Sequence, residues 1–320
     1  MHALFIDKVY SSELMENLAG YRFAEARKGT YEELSADLKV HNNQRTNLFL
    51  YIDPFGIKSL DLSLFHEVVS LNSTVEFLLN FNSFGFFRNA CKAYGVDYSD
   101  VEPFTEVEER EIEDDDTPNE TIEKLNRVAG GIYWQDIVQE YRAERINGYR
   151  AEQILSEKMC IQLRKSYQYV LNVPVRIKKG NRPKYRMVFG SNHVDGCLLM
   201  YDNMQKRMEQ MHLIQEKGQS NLFDLDSEDS YIDPCEVETL LMDAIRSCTD
   251  WLPIKELLAR YVISTGITLP LTRLYNFMRS FEKRGLIDVM REPQTTNNDM
   301  PSNFMQPGKG KKVYIRCSNA

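Results

Sequence analysis

The sequence has no apolar run approaching the roughly 18–20 residues that span a bilayer. Nor does it open with a basic segment followed by an apolar stretch, so Met1 to Asp7 does not read as a secretory signal. A cytoplasmic protein without membrane contact is expected. The six cysteines (Cys91, Cys160, Cys197, Cys235, Cys248, Cys317) are scattered, with no two at C-x-x-C spacing. A disulfide framework or a zinc finger needs clustering, so free thiols in a reducing compartment are expected. The five histidines are equally dispersed, and no metal site is expected. Glycine-rich turns are missing too. No G-x-G follows a strand-like run, and Gly308-Lys309-Gly310 lies in a basic loop.

What is present is ordinary for a globular chain, with 42% hydrophobic and 27% charged residues. A length of 320 residues suggests two domains. Short apolar runs alternate with helical patterns. Leu4-Phe5-Ile6 ends in Asp7, and a helix is expected from Ser11 to Leu18, a short strand at Tyr21–Ala24 and a helix over Tyr31–Val40. Leu48 to Ile52 is a continuous apolar run closed by Asp53-Pro54, which predicts a strand buried on both faces of a parallel sheet. Ser63 to Leu71 reads as a helix, and Val75 to Phe81 as another buried strand. This alternation implies βαβ units.

The stretch from about residue 101 to 119 is acidic and bounded by Pro103 and Pro118, and reads as a solvated insertion. One long helix is expected over Gln139–Tyr167. A hairpin is expected from Tyr169–Val175 and Tyr185–Phe189, followed by a helix from Gly196 to His212. The acidic segment 221–235 reads as a linker. Three helices then follow, Glu236–Cys248, Pro253–Tyr261 and Leu269–Arg284, the last capped by Gly285. Leu286–Met290 and Lys312–Arg316 complete the chain as a strand pair.

Net charge is −8 but unevenly placed. Leu269 to Ala320 holds nine Lys and Arg against four Asp and Glu, a local +5 that leaves −13 elsewhere. Such asymmetry points to a module that meets a polyanion. Three helices and a strand pair are the order of a winged helix, whose third helix enters a major groove. Arg273, Arg279, Lys283 and Arg284 lie on or near that helix, and Lys309, Lys311 and Lys312 in the wing. These seven are the expected contacts to duplex DNA. Leu271, Leu274, Phe277, Met278 and Phe281 are expected to form its buried side, with 274, 277, 278 and 281 following the i, i+3, i+4, i+7 rule.

Candidate chemistry sits at strand ends, because ligands of open α/β sheets bind beyond the carboxyl ends of the strands. Asp53 can accept a hydrogen bond from an amine or hydroxyl, Pro54 stiffens its turn, and Phe55 can stack on a flat base. A plain strand end with a helix cap explains the same three residues equally well. Asp7 can bind ribose hydroxyls, and Asn80 can line the same crevice. A nuclease using Asp7 and Asp53 with a metal is a minor alternative.

The steps Phe5-Ile6-Asp7-Lys8, Ile52-Asp53-Pro54-Phe55-Gly56 and Leu78-Leu79-Asn80-Phe81-Asn82 resemble the three-Cys-motif partner protein family (TcmP). Tyr185 to Phe189 and the segment around Gly196, Met200, Asp202 and Met204 are similar to that family's closing hairpin and helix. The resemblance covers roughly residues 3 to 212. It implies a class I methyltransferase-like fold, consistent with a Rossmann-like parallel sheet with a closing hairpin over 1–220; the linker and the winged-helix-like domain over 236–320, read from the order of elements, follow it. It further implies S-adenosylmethionine as cofactor, with Asp7 at its ribose and Asn80 beside it. Asp53, Pro54 and Phe55 take the catalytic-loop position of amino-methyltransferases, which act on a flipped base amine. The family name implies a partner bearing a three-cysteine motif. The strand and glycine-rich turn expected before Asp7 are absent from this sequence. That leaves three expectations: a truncated copy, a misassigned start, or lost cofactor binding. The leading expectation is a methyltransferase-like protein acting on or near nucleic acid. The alternative is a non-catalytic adaptor that binds a three-Cys-motif protein and DNA.

Overall fold

The computed structural model describes residues 3–7, 12–29, 38, 45–54, 60–71, 74–98, 116–176, 183–218, 234–248, 250–266, 269–296 and 298–318. The protein is mixed α/β, with ten helices and several sheets among the described residues. It divides into two compact units, Met1–Val75 with Asn80–Ser166, and Glu76–Leu79 with Tyr167–Ala320. No helix of the described residues is long and apolar enough to cross a membrane.

In the first unit β1 (Ala3–Asp7) and β2 (Ala24–Lys28) pair in parallel, Asp7 opposite Lys28, with α1 (Ser12–Leu18) between them in sequence. The second strand therefore begins where the sequence expectation ended it. β3 (Asn47–Ile52) neighbours β4 (Thr74–Phe81). β3 is not buried on both faces. Leu48 and Leu50 pack against a small cluster of Leu38, Leu64, Val68 and Val75, while Phe49 and Tyr51 are 53% and 58% exposed. An apolar run alone does not reveal whether a second layer covers the far face. β4 alternates cleanly, with Val75, Phe77, Leu79 and Phe81 buried, as a period-2 strand should.

α2 (Ser63–Val69) and α3 (Ser83–Ala93) flank β4 in sequence, and α4 (Pro118–Ala129) follows. α4 starts inside the expected acidic loop, because Thr117 and Glu120 form a reciprocal capping box and Pro118 presets the first turn. Residues 101–115 of that insertion lie outside the described residues, as does most of the expected helix over Tyr31–Val40. The single helix expected over Gln139–Tyr167 is two, α5 (Trp134–Arg142) and α6 (Gly148–Leu163). Asn147 breaks it, its side chain accepting from the Arg150 N–H at 2.9 Å and starting α6 afresh. An aromatic cluster binds α3 to α5. Trp134 meets Phe86 edge-on at 5.9 Å and donates Nε1 to Asn126 Oδ1, and Phe87 meets Tyr141 edge-on at 5.3 Å.

In the second unit β5 (Tyr169–Arg176) and β6 (Pro183–Ser191) form the expected antiparallel hairpin. β6 runs beside the middle of β4, where Ser191 Oγ donates to Glu76 Oε1 at 2.7 Å and Gly190 lies against Phe77. Since 76 meets 191 and 77 faces 190, the two strands are antiparallel. α7 (Val194–Gly218) follows, then α8 (Pro234–Arg246), β7 (Leu252–Pro253), α9 (Ile254–Thr265), α10 (Leu271–Lys283), β8 (Ile287–Glu292) and β9 (Lys312–Cys317). β7, β9 and β8 make one antiparallel sheet in that order. The short β7 was not legible in the sequence. One hydrophobic core joins Val237, Leu241 and Ile245 of α8 to Leu257 and Tyr261 of α9, to Leu274, Met278 and Phe281 of α10, and to Val313 and Ile315 of β9. The same core takes in Tyr169, Leu171, Phe189, Cys197, Leu198 and Tyr201 of the hairpin and α7. Residues 221–233 of the expected linker lie outside the described residues, and Pro234 and Cys235, expected in the linker, begin α8 instead.

Candidate functional site

Two of the strand-end residues meet. Asn80, the penultimate residue of β4, donates Nδ2 to Asp53 Oδ1 at 2.9 Å. Asp53 directly follows β3, so the contact sets the carboxyl ends of β3 and β4 at one edge and makes these strands parallel. Asp53 is exposed, while Asn80 Oδ1 is buried with no hydrogen-bond partner among the described residues. A buried acceptor left unpaired is costly unless a donor arrives. The surroundings are braced. Asn82 caps α3 by accepting from the Gly85 N–H at 2.7 Å, and Ser83 donates its hydroxyl to the buried Glu152 at 2.5 Å. Asp53 and Asn80 thus present acceptor oxygens that suit an amine or hydroxyl donor. Pro54 is half-buried, and Phe55 lies outside the described residues. Asp7 ends β1, and its side chain is likewise outside the described residues.

The cationic residues of the C-terminal segment fall into two sets. Arg273, Arg279 and Lys283 are exposed along one face of α10 with Asn276, at spacings of three and four, which places them in a row. None has a side-chain hydrogen bond or ion pair among the described residues. Lys309 is also exposed without a partner among them, and Lys311 sits 5.2 Å from the Phe304 ring centroid. The rest are engaged. Arg284 pairs with Glu238, Lys312 with Glu292 at 3.1 Å, and Arg316 with Asp288 at 2.9 Å. Arg291 is held in a two-point contact by Glu282 and also donates to the Phe304 carbonyl at 2.7 Å, which fixes the loop after β8. The Glu292 hydrogen bond and charge push the Lys312 ammonium pKa up. A groove of about 290 Å³ runs along α10, lined by Glu238, Leu269, Arg273, Asn276, Phe277 and Ser280. Asn276 was not foreseen, although its i+3 and i−3 relation to Arg279 and Arg273 was readable.

The buried groups of this unit are structural. Burial pushes the Cys197 thiol up to about 12, which keeps it a thiol. Burial, with the Glu256 hydrogen bond and charge behind it, pushes the Tyr169 hydroxyl up. Tyr201 donates its hydroxyl to the Leu269 carbonyl at 2.5 Å. Among the described residues no group of three or more His, Cys, Asp or Glu converges as a metal site would require.

Comparison with known proteins gives no match to a family model, to a curated protein or to a solved structure.

Proposed function

We propose that this protein docks on duplex nucleic acid through the outer face of α10, within a C-terminal winged helix. The observation that carries the reading is the row of Arg273, Asn276, Arg279 and Lys283, exposed and without partners among the described residues. Unpaired cations neutralise phosphates and release counterions, which is the main source of affinity for a duplex. Asn276 is a side-chain type that reads an adenine edge. The order helix, short strand, helix, helix, strand, strand suits this module, with β7 added beside β9. Such a fold lays its third helix in the major groove and its wing, here with Lys309 and Lys311, along the backbone. Arg284 and Lys312 are tied to Glu238 and Glu292 and contribute less. The test is duplex binding by fluorescence anisotropy with Arg273→Ala, Arg279→Ala and Lys283→Ala combined. Weaker binding with a flatter salt dependence supports the reading, and unchanged affinity and slope remove α10 from it.

The strand ends favour a methyltransferase-like, Rossmann-like scaffold in addition to this module. A parallel pair ending at Asp7, a second parallel pair ending at Asp53 and Asn80, and a closing antiparallel hairpin are elements such a scaffold contains, although among the described residues β1–β2 is a separate sheet from the mixed β3–β4–β6–β5 sheet rather than part of one parallel sheet. In this reading S-adenosylmethionine is the methyl donor, Asp7 and Asn80 line it, and Asp53, Pro54 and Phe55 face a nucleobase amine. On the acceptor side, the exposed Asp53 carboxylate held by Asn80 Nδ2 supports the reading. The donor side does not fit among the described residues. A cradle needs a glycine turn directly after a strand, and the glycine at a strand end, Gly190, closes on Phe77, while open glycines such as Gly20 and Gly95 follow helices. Calorimetric titration with S-adenosylmethionine separates the cases. Saturable heat supports an enzyme, and its absence favours an adaptor that binds a three-Cys-motif protein and DNA.

A further inference from the structure

A cleft of about 620 Å³ opens in the first unit where α2, α4 and α6 converge, lined by Asp61, Ser63, His66, Arg127, Gln162 and Lys165. Its walls are cross-braced. The Leu62 N–H donates to the Arg127 carbonyl at 3.1 Å, joining the start of α2 to the end of α4. Gly130 caps α4 in the left-handed region at φ 64, and any side chain there would run into Leu62. His66 Nδ1 lies 2.6 Å from Ser166 Oγ, a hydrogen bond that ties α2 to the turn after α6. Asp61 Oδ1 accepts the Ser63 N–H at 2.8 Å. The side chains of Arg127, Lys165, Gln162 and Ser63 make no hydrogen bond or ion pair among the described residues.

We propose that this cleft binds a small phosphate monoester carrying hydroxyl groups. Arg127 and Lys165 take the phosphate, Ser63 Oγ and the Gln162 amide donate to its remaining oxygens, and Asp61 accepts from a hydroxyl. Arg127 and Lys165 outnumber the single Asp61 carboxylate in the lining, and an anionic ligand offsets that excess positive charge. The guanidinium fork matches phosphate oxygens in pairs. The volume is that of a small-ligand site. Burial and the Lys165 charge both push the His66 pKa down, so its ring takes a proton less readily than a free imidazole.

The test is calorimetric titration of the full chain with ribose 5-phosphate, inorganic phosphate and ribose. Arg127→Ala/Lys165→Ala is titrated alongside. Both side chains are exposed, and a thermal melt confirms that the variant folds. Ribose 5-phosphate binds one per chain, inorganic phosphate more weakly and ribose not at all. The double variant weakens the monoester at least about tenfold. Equal binding by wild type and variant overturns the proposal, as does no saturable heat at millimolar ribose 5-phosphate. Inorganic phosphate binding as tightly as the monoester overturns the Asp61 contact. The α10 triple variant keeps monoester binding. If it loses that binding, the phosphate sits on α10 and the cleft is not the site. If Arg127→Ala/Lys165→Ala weakens only duplex binding, the cleft takes a nucleic-acid backbone and the proposal fails.

Discussion

Single residues set the tolerances of this protein. Gly190 is a place where only glycine fits, because a Cβ there would overlap the fully buried Phe77 ring. Gly190→Ala should destabilise the fold by about 1–3 kcal/mol, read as a lower denaturant midpoint at unchanged slope. Tyr201→Phe should cost about 1–3 kcal/mol, because it strips the Leu269 carbonyl and N–H of the hydroxyl that serves both. His66 titrates below its ordinary value of 6.5, through burial first and Lys165 second. As pH falls through 6.5 the unfolded chain takes a proton that the folded chain refuses. Stability is therefore full above 6.5 and declines as pH drops toward the folded value. His66→Gln should flatten that decline, and an imidazole titration by NMR gives the shift directly. Asp53 and Asn80 were both legible as strand-end polar residues. Their hydrogen bond was not, since pairing across neighbouring strands depends on register. The cleft of Arg127 and Lys165 left no local signal, because its residues come from three separate helices.

At the scale of elements, periodicity was a good guide and boundaries were not. The buried side of α10 was readable from its spacing: Leu274, Met278 and Phe281 are buried, while Leu271 and Phe277, expected beside them, are only partly buried. The break at Asn147 was missed because the apolar pattern on both sides suits one helix, while the cap acts through a single side chain. Replacing Asn147 with alanine should cost about 1 kcal/mol and be visible as a shifted thermal midpoint. β3 was expected to be covered on both faces, and Phe49 and Tyr51 are exposed instead. The hairpin's role was also hidden. Leu171 of β5 shares a core with α8, α9 and α10, a contact far apart in sequence. Leu171→Ala should therefore destabilise the C-terminal module as well as the hairpin, by about 2–5 kcal/mol. Hydrogen exchange in α8–α10 would report it, and unchanged protection there would show the two to be uncoupled.

At the scale of the whole molecule, charge is the feature the sequence displayed most openly. The chain carries −8 in total, yet its last 52 residues, Leu269 to Ala320, are net basic. The structure refines this, because Arg284, Arg291, Lys312 and Arg316 are engaged by Glu238, Glu282, Glu292 and Asp288. What is left over is concentrated on one face of α10 and at the tip after β8. Docking through α10 is tested most directly by duplex affinity against salt concentration, for the wild type and for the combined Arg273→Ala, Arg279→Ala and Lys283→Ala variant. Weaker binding is expected, with a log–log slope shallower by about three, roughly one per cation removed. A variant that binds as tightly and with the same slope would contradict it.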